Sequence, residues 1–167
     1  IYYENRAVTK DGKLIEWGKL WEGDSCLPHP VRENIAKLDY NIYLTRDGKV
    51  YSIPNRENIQ LTKPYEESGE LIMTGVKDIV LGVPCYALKN DGSVWTFLRD
   101  NMTGEVVQKP EKVAEDVRKI YISPMVEGVK LFLKNDKTLW SFGNNEFGQC
   151  GNGENGDLDV TMQDCVV

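Results

Sequence analysis

The side chains best suited to catalysis are few and give no specific signal. His29, between Pro28 and Pro30, is the sole histidine of the 167-residue chain, so a site with two or three histidine ligands is excluded. Asp and Glu number 26, so neighbouring carboxylates are expected by chance, whereas a glycosidase needs two that face each other across a groove. The sequence therefore predicts no catalytic residue, and we expect a protein that is not an enzyme.

Four cysteines and one glycine-rich segment are the remaining candidates for chemistry. The cysteines are Cys26, Cys85, Cys150 and Cys165, and they form no C-x-x-C pair. Cys85 is expected to be buried and inert, while Cys26 and Cys150 fall in equivalent loops where a disulfide is conceivable. Segment 143–157 is rich in oxygen ligands, but it lacks the alternating carboxylates and closing Glu of an EF-hand. We expect no metal and no cofactor.

The charge balance argues against nucleic-acid binding, and the short apolar runs argue against a membrane span. The chain has 26 acidic and 20 basic residues, for a net charge of −6, and Lys and Arg are spread evenly along it. A protein that binds nucleic acid through phosphates needs a basic excess or a basic cluster. No apolar run approaches the roughly 20 residues of a membrane-spanning helix. We therefore predict neither nucleic-acid binding nor a membrane span.

Four copies of one pattern dominate the chain. They read AVTKDGKLIEWG, YLTRDGKVYSI, ALKNDGSVWTF and FLKNDKTLWSFG. Their aspartates are Asp11, Asp47, Asp91 and Asp136, separated by steps of 36, 44 and 45 residues. Self-similarity at this period is typical of repeat architectures, in which each copy is one supersecondary unit.

Each copy predicts a β-hairpin. An Asp-Gly pair between apolar runs is a strong hairpin signal and favours a type I′ turn. The three such pairs are Asp11-Gly12, Asp47-Gly48 and Asp91-Gly92. Lys137 replaces the glycine after Asp136, so the last turn is predicted to be strained or of another type. The residues after each turn alternate large and small side chains, which suits a strand in stacked sheets.

A further apolar segment precedes three of the hairpins, at 35–38, 76–81 and 117–122. Each unit therefore holds at least three short strands, which is typical of a β-propeller blade, with a β-solenoid as the alternative. We predict an all-β, propeller-type domain over residues 1–167. Its four blade-like repeats cover about 1–34, 35–75, 76–116 and 117–167, with the strand at 166–167 continuing into residue 1.

The fourth unit, from Leu133 to Gly153, resembles the repeat of the regulator of chromosome condensation family. That repeat follows the pattern L-x-x-D-G-x-V-[YW]-x-W-G-x-N-x-x-G-Q-L-G-x-G. Cys150 stands where the family usually has Leu, and Phe142 where it often has Trp. The second and third units retain only the strand–turn–strand core. The resemblance implies a propeller, and the divergent repeats together with the acidic charge balance favour a bacterial member.

The length leaves the closure of the ring open. The resemblance implies seven blades, whereas this sequence holds four periods, with its two ends in register. The chain is then either a portion of a longer array, part of an oligomeric ring or a closed four-blade ring. In an open arc the terminal blades would expose apolar faces and could self-associate.

The resemblance and the surface residues together predict a non-enzymatic module that binds another protein, in an extracellular or cell-surface setting in bacteria. Family members also act as guanine-nucleotide exchange factors and chromatin-associated regulators, which is one alternative. A carbohydrate-active propeller enzyme is the second. Binding is expected through loops that hold aromatic or Arg side chains outside the strand pattern. These residues are Trp21, Arg56, Tyr65, Arg99 and Phe147. The simpler interpretation is that each packs on its own blade, above all Trp21 and Phe147.

Overall fold

The structure is a computed structural model. It describes residues 5–17, 27–39, 42–52, 69–80, 82–100, 105–122, 129–151, 153 and 163–165. Within these ranges the chain forms fifteen β-strands and no helix, and the strands form four antiparallel sheets. The predicted all-β fold with four blade-like sheets is confirmed. The chain divides into two compact units, each of which contains two of the sheets.

The first unit covers residues 1–75 and 100–106. Its first sheet has the order β1-β2-β3. The strands are β1 (Asn5–Val8), β2 (Leu14–Trp17) and β3 (His29–Arg32). Its second sheet has the order β4-β5-β6-β7. The strands are β4 (Ile35–Asp39), β5 (Ile42–Thr45), β6 (Val50–Ser52) and β7 (Glu70–Met73).

The second unit covers residues 76–99 and 107–167. One sheet has the order β11-β10-β9-β8. The strands are β8 (Val76–Val80), β9 (Cys85–Lys89), β10 (Val94–Arg99) and β11 (Val106–Ala114). The other has the order β12-β13-β14-β15. The strands are β12 (Val117–Ile122), β13 (Lys130–Lys134), β14 (Leu139–Phe142) and β15 (Gln163–Cys165).

Each unit has its own apolar core between its two sheets. In the first unit Leu14 from β2 packs with Ile35 from β4 and Tyr43 from β5. The core of the second unit is larger and aromatic, because the Phe132 ring meets the rings of Phe142 and Tyr86 edge-on at centroid distances of 4.9 and 6.1 Å. Such edge-to-face pairs stabilise a core by about 0.5–1.5 kcal/mol beyond the area that they bury.

The first sheet carries a buried ion pair where the other sheets have uncharged residues. Arg6 and Glu16 face each other across β1 and β2, with Nε and Oε1 2.7 Å apart, and Glu16 is fully buried. The corresponding cross-strand pair of the second sheet is Ile42 and Ser52. Replacing one partner of a buried pair alone leaves the other charge uncompensated, so the two side chains stabilise this sheet only together.

The four predicted hairpins are confirmed, but the predicted type I′ turn is wrong. In the first hairpin the amide of Gly12 donates to the carbonyl of Thr9, 2.9 Å away, and only Gly12 of the turn has positive φ, at 88°. The Asp before it does not enter the left-handed region. This is a type I turn followed by one left-handed residue, the common three-residue hairpin loop. The turns at Gly48 and Gly92 repeat it.

Lys137 adopts the same left-handed conformation as these glycines, with φ of 75°. Its amide donates to the carbonyl of Lys134 over 3.2 Å, so the fourth turn is of the same type as the others. The expectation of another turn type is wrong, and the expected strain falls on Lys137 itself, since its Cβ crowds the backbone in this region.

A hydroxyl group donates a hydrogen bond to the carboxylate of each of the four turn aspartates. The donor precedes the turn in the first unit and follows it in the second. In the second unit Ser93 donates to Asp91 Oδ1 over 2.6 Å and accepts from the Trp95 indole over 2.9 Å. In the first unit the hydroxyl comes instead from a threonine before the turn, such as Thr45, two residues ahead of Asp47. The bound hydroxyl is the largest cause that lowers the pKa of each turn carboxyl.

A second set of hydrogen bonds joins the two sheets within each unit, and we call them the turn links. In the first unit the Ile35 amide donates to the Gly12 carbonyl at 2.8 Å, and the Arg46 amide donates to the Asn34 carbonyl at 2.8 Å. In the second unit Val117 donates to Gly92 at 2.9 Å, and Asn135 to Asp116 at 2.8 Å. In each unit the turn of the first sheet therefore accepts the first amide of the second sheet, and the turn of the second sheet donates an amide to the residue just before that sheet. Asn34 and Asp116 both have positive φ, which Asn and Asp tolerate better than most residues do.

Lys137→Gly should stabilise the protein by about 1 kcal/mol, because glycine adopts positive φ without the steric cost of a Cβ. Chemical denaturation of the full chain measures the change. The matched control is Gly92→Lys at the equivalent position, which should destabilise the chain. A loss of stability in Lys137→Gly would contradict this assignment of the turn.

Asp47 should titrate at an unusually low pH. Hydrogen bonds from Thr45 and then Lys49 lower its pKa from 3.8 to about 2. Because the folded pKa lies below the unfolded one, the stabilisation is complete above pH 4 and is lost as the pH falls through about 2. NMR titration of the side-chain carboxyl carbon measures this pKa. Thr45→Val should move the pKa up towards 3.8, whereas a wild-type value already near 3.8 would refute the role of the hydroxyl.

Candidate protein-binding site

One loop of the second unit combines a fixed backbone with an exposed aromatic ring. It spans residues 143–151, directly after β14, and we call it the Phe147 loop. Three glycines, Gly143, Gly148 and Gly151, allow its sharp turns, with φ of 120°, 76° and 69°. Residues with a Cβ rarely adopt these angles, so the glycines of the sequence motif define the path of the backbone.

Asn145 organises the interior of the loop. It is fully buried, its Oδ1 accepts the amide of Cys150 at 2.9 Å, and its carbonyl accepts the amide of Gly148 at 3.0 Å. The Cys150 carbonyl in turn accepts the hydroxyl of Ser141 from β14 at 2.7 Å. These bonds attach the loop to the sheet, since a buried polar group stabilises the conformation in which it is satisfied.

Two further side chains close the outer part of the loop. Asn144 Oδ1 accepts the amide of Glu146 at 3.0 Å and the Gln149 side-chain amide at 3.2 Å. Gln149 Oε1 accepts the amide of Phe147 at 2.7 Å. The amides of 146, 147, 148 and 150 therefore all have acceptors inside the loop. Side-chain bonds of this kind replace a strand ladder and keep a loop ordered.

The Phe147 ring is 80% exposed, which is the largest exposure among the large hydrophobic residues of the described ranges. The alternative in which Phe147 packs on its own sheet does not fit this exposure. Aromatic side chains, Phe among them, are enriched at protein interfaces.

The other predicted binding residues are placed differently. Arg99 is the last residue of β10 and is buried, with 9% of its surface exposed. Trp21, Arg56 and Tyr65 lie outside the described residues. The structure therefore describes two of the five predicted positions, and of these only Phe147 presents its side chain to solvent.

The cysteines and the loop asparagines that could take part in redox or metal chemistry have structural roles within the described residues. Cys85 and Cys150 are buried, and Cys26 lies outside the described residues. Asn144 and Asn145, two of the oxygen-bearing residues of segment 143–157, accept backbone amides of the loop with their side-chain oxygens. In the described part of the chain no three His, Cys, Asp or Glu residues are grouped as metal ligands. The same ranges contain no helix long and apolar enough to cross a membrane.

The sequence interpretation missed the function of the two polar residues in this loop. Asn145 and Gln149 occupy the Asn and Gln positions of the repeat pattern to which the fourth unit was compared. In the structure Asn145 bonds the Cys150 amide and Gln149 bonds the Phe147 amide. Both residues are visible in the motif, but the sequence does not show which backbone amides their side chains bind.

Comparisons with known proteins support the fold. No protein-family model and no curated protein match the sequence. Among solved structures, human WBSCR16 is 14% identical and aligns over 95% of this chain and 49% of its own, with a TM-score of 0.55.

Two structures of the yeast protein Prp20 also match. Prp20p from Saccharomyces cerevisiae, described with its binding to Gsp1p and histones, is 20% identical over 84% of this chain and 41% of its own, with a TM-score of 0.49. Yeast RCC1 (Prp20) bound to Kap60 gives 20% identity, coverages of 84% and 40%, and a TM-score of 0.47. The chain thus spans two fifths to one half of the proteins that it matches, and what is established for it is the all-β, propeller-type fold.

Proposed function

We propose that this chain is a non-enzymatic module that binds another protein through the Phe147 loop. The observation that carries the proposal is the 80% exposed Phe147 ring on a loop whose amides are bonded internally. Burial of this ring against a partner would remove its apolar surface from water, which is favourable.

The energetics favour such an anchor. Burying one phenylalanine side chain contributes about 1.5–3 kcal/mol. The loop is already fixed by Asn145 and Gln149, so little backbone entropy is lost on binding. Only the side-chain rotation of Phe147 has to be restricted. A partner that offers a pocket for the ring would therefore gain the burial energy without an added cost for ordering this loop, while the translational and rotational entropy of association is still lost.

We further propose a bacterial extracellular or cell-surface setting. This part of the proposal is supported by the sequence alone, through the divergent repeats and the net charge of −6. The Phe147 loop by itself is compatible with any cellular compartment in which its partner occurs.

Photo-crosslinking tests the binding role. A photoreactive phenylalanine analogue at position 147 should form covalent adducts of defined mass with the partner. The matched control places the same analogue at Val107, which is 60% exposed on β11, in the other sheet of the same unit. Phe147→Ala should then weaken the binding of the identified partner at least tenfold, as is typical of an aromatic anchor, without lowering the unfolding temperature. Equal crosslinking at both positions, or unchanged affinity of Phe147→Ala, would refute the role of the loop.

A further inference from the structure

The first strand of each of three sheets contains a β-bulge, and the extra residue of each bulge exposes its side chain. The pairing register shifts between Ile35 and Lys37 in β4, between Val76 and Asp78 in β8, and between Val117 and Lys119 in β12. The extra residues are Ala36, Lys77 and Arg118, and all three are exposed. A bulge bends its strand and redirects the side chain of the inserted residue.

In the second unit both bulged residues are cations, and they lie side by side. The Lys77 ammonium donates to the backbone carbonyl of Arg118 over 3.1 Å, which holds its charge beside β12. Lys119 follows directly and is also exposed. We call Lys77, Arg118 and Lys119 the basic strip.

Strands β8 and β12 carry three cations and one acidic residue, while Glu115 and Asp116 directly precede β12. Asp78 is the acidic residue on these two strands, and its Oδ1 accepts the amide of Ile79 at 2.9 Å. Other cations of the same unit are engaged locally, because Lys112 pairs with Glu115 and Lys134 lies 4.6 Å from the centre of the Trp140 ring. The strip therefore concentrates positive charge on a chain whose net charge is −6.

We propose that the basic strip is a second binding site, independent of the Phe147 loop, and that it binds an acidic segment of a partner protein. The Arg118 guanidinium can hold one carboxylate with two parallel hydrogen bonds. Lys77 and Lys119 supply point charges for a neighbouring carboxylate. Three cations are too few for a nucleic-acid backbone, which proteins typically bind through about 6–10 phosphate contacts, and the acidic remainder of the chain would repel it.

Fluorescence anisotropy with a fluorescein-labelled peptide rich in Asp and Glu tests the site on the full chain. The double variant Arg118→Glu, Lys119→Glu should raise the Kd about tenfold, since two charge contacts are lost and reversed. The matched control is Lys109→Glu, Lys112→Glu on β11, where both side chains are exposed. It changes the net charge equally and should alter the Kd less than twofold.

The outcomes separate a local site from a general charge effect. Equal weakening by the two double variants, or no binding of the peptide by the wild type at low salt, would overturn the proposal. Tighter binding of a DNA duplex or of polyphosphate than of the peptide would overturn it too. If the charge-reversal variant does not fold, as judged by circular dichroism, Arg118→Gln with Lys119→Gln takes its place and should still raise the Kd about threefold.

Discussion

The turn link constrains the fold more than any other single interaction. Within each unit the first amide of one sheet donates to a turn carbonyl of the preceding sheet, as Ile35 does to Gly12 and Val117 to Gly92. The turn can present that carbonyl because its last residue is left-handed. The packed cores on both sides of the link then follow, since Ile35 and Val117 are themselves buried core residues. Backbone conformation at one turn thus sets the packing of two sheets.

The position of the hairpins could be predicted from the sequence, whereas their turn type could not. Asp-Gly between apolar runs marks the reversal, but a type I′ turn requires the Asp itself to adopt positive φ. The hydroxyls of Ser93 and Thr138, which directly follow their turns, donate to the Asp carboxylates and favour the other conformation. The turn links were not predictable, because Gly12 and Ile35 are far apart in sequence. Asn34 and Asp116 could be recognised as equivalent positions only from the structure, which shows that both adopt the left-handed conformation.

The candidate site shows a similar limit. Phe147 could be identified as an aromatic residue outside the strand pattern, but its exposure depends on how the loop is filled. Asn145 occupies the interior of the loop and the Gln149 side chain bonds the Phe147 amide, so no place is left for the ring to turn inward. The basic strip was hidden for a different reason: Lys77 and Arg118 are distant in sequence, and two β-bulges bring them together. Even spacing of charges along a chain therefore does not exclude a local cluster on the folded surface.

Hydrogen exchange of individual amides, measured by NMR on the full chain, tests the central claim that side-chain and turn hydrogen bonds outside the strands hold this scaffold and its loop rigid. The amides of Ile35, Val117 and Cys150 should exchange about as slowly as amides of the strand ladders, because each donates to a specific acceptor. The amide of the exposed turn residue Asn90 serves as the reference for rapid exchange. Exchange of Val117 and Cys150 as fast as that of Asn90 would contradict the account.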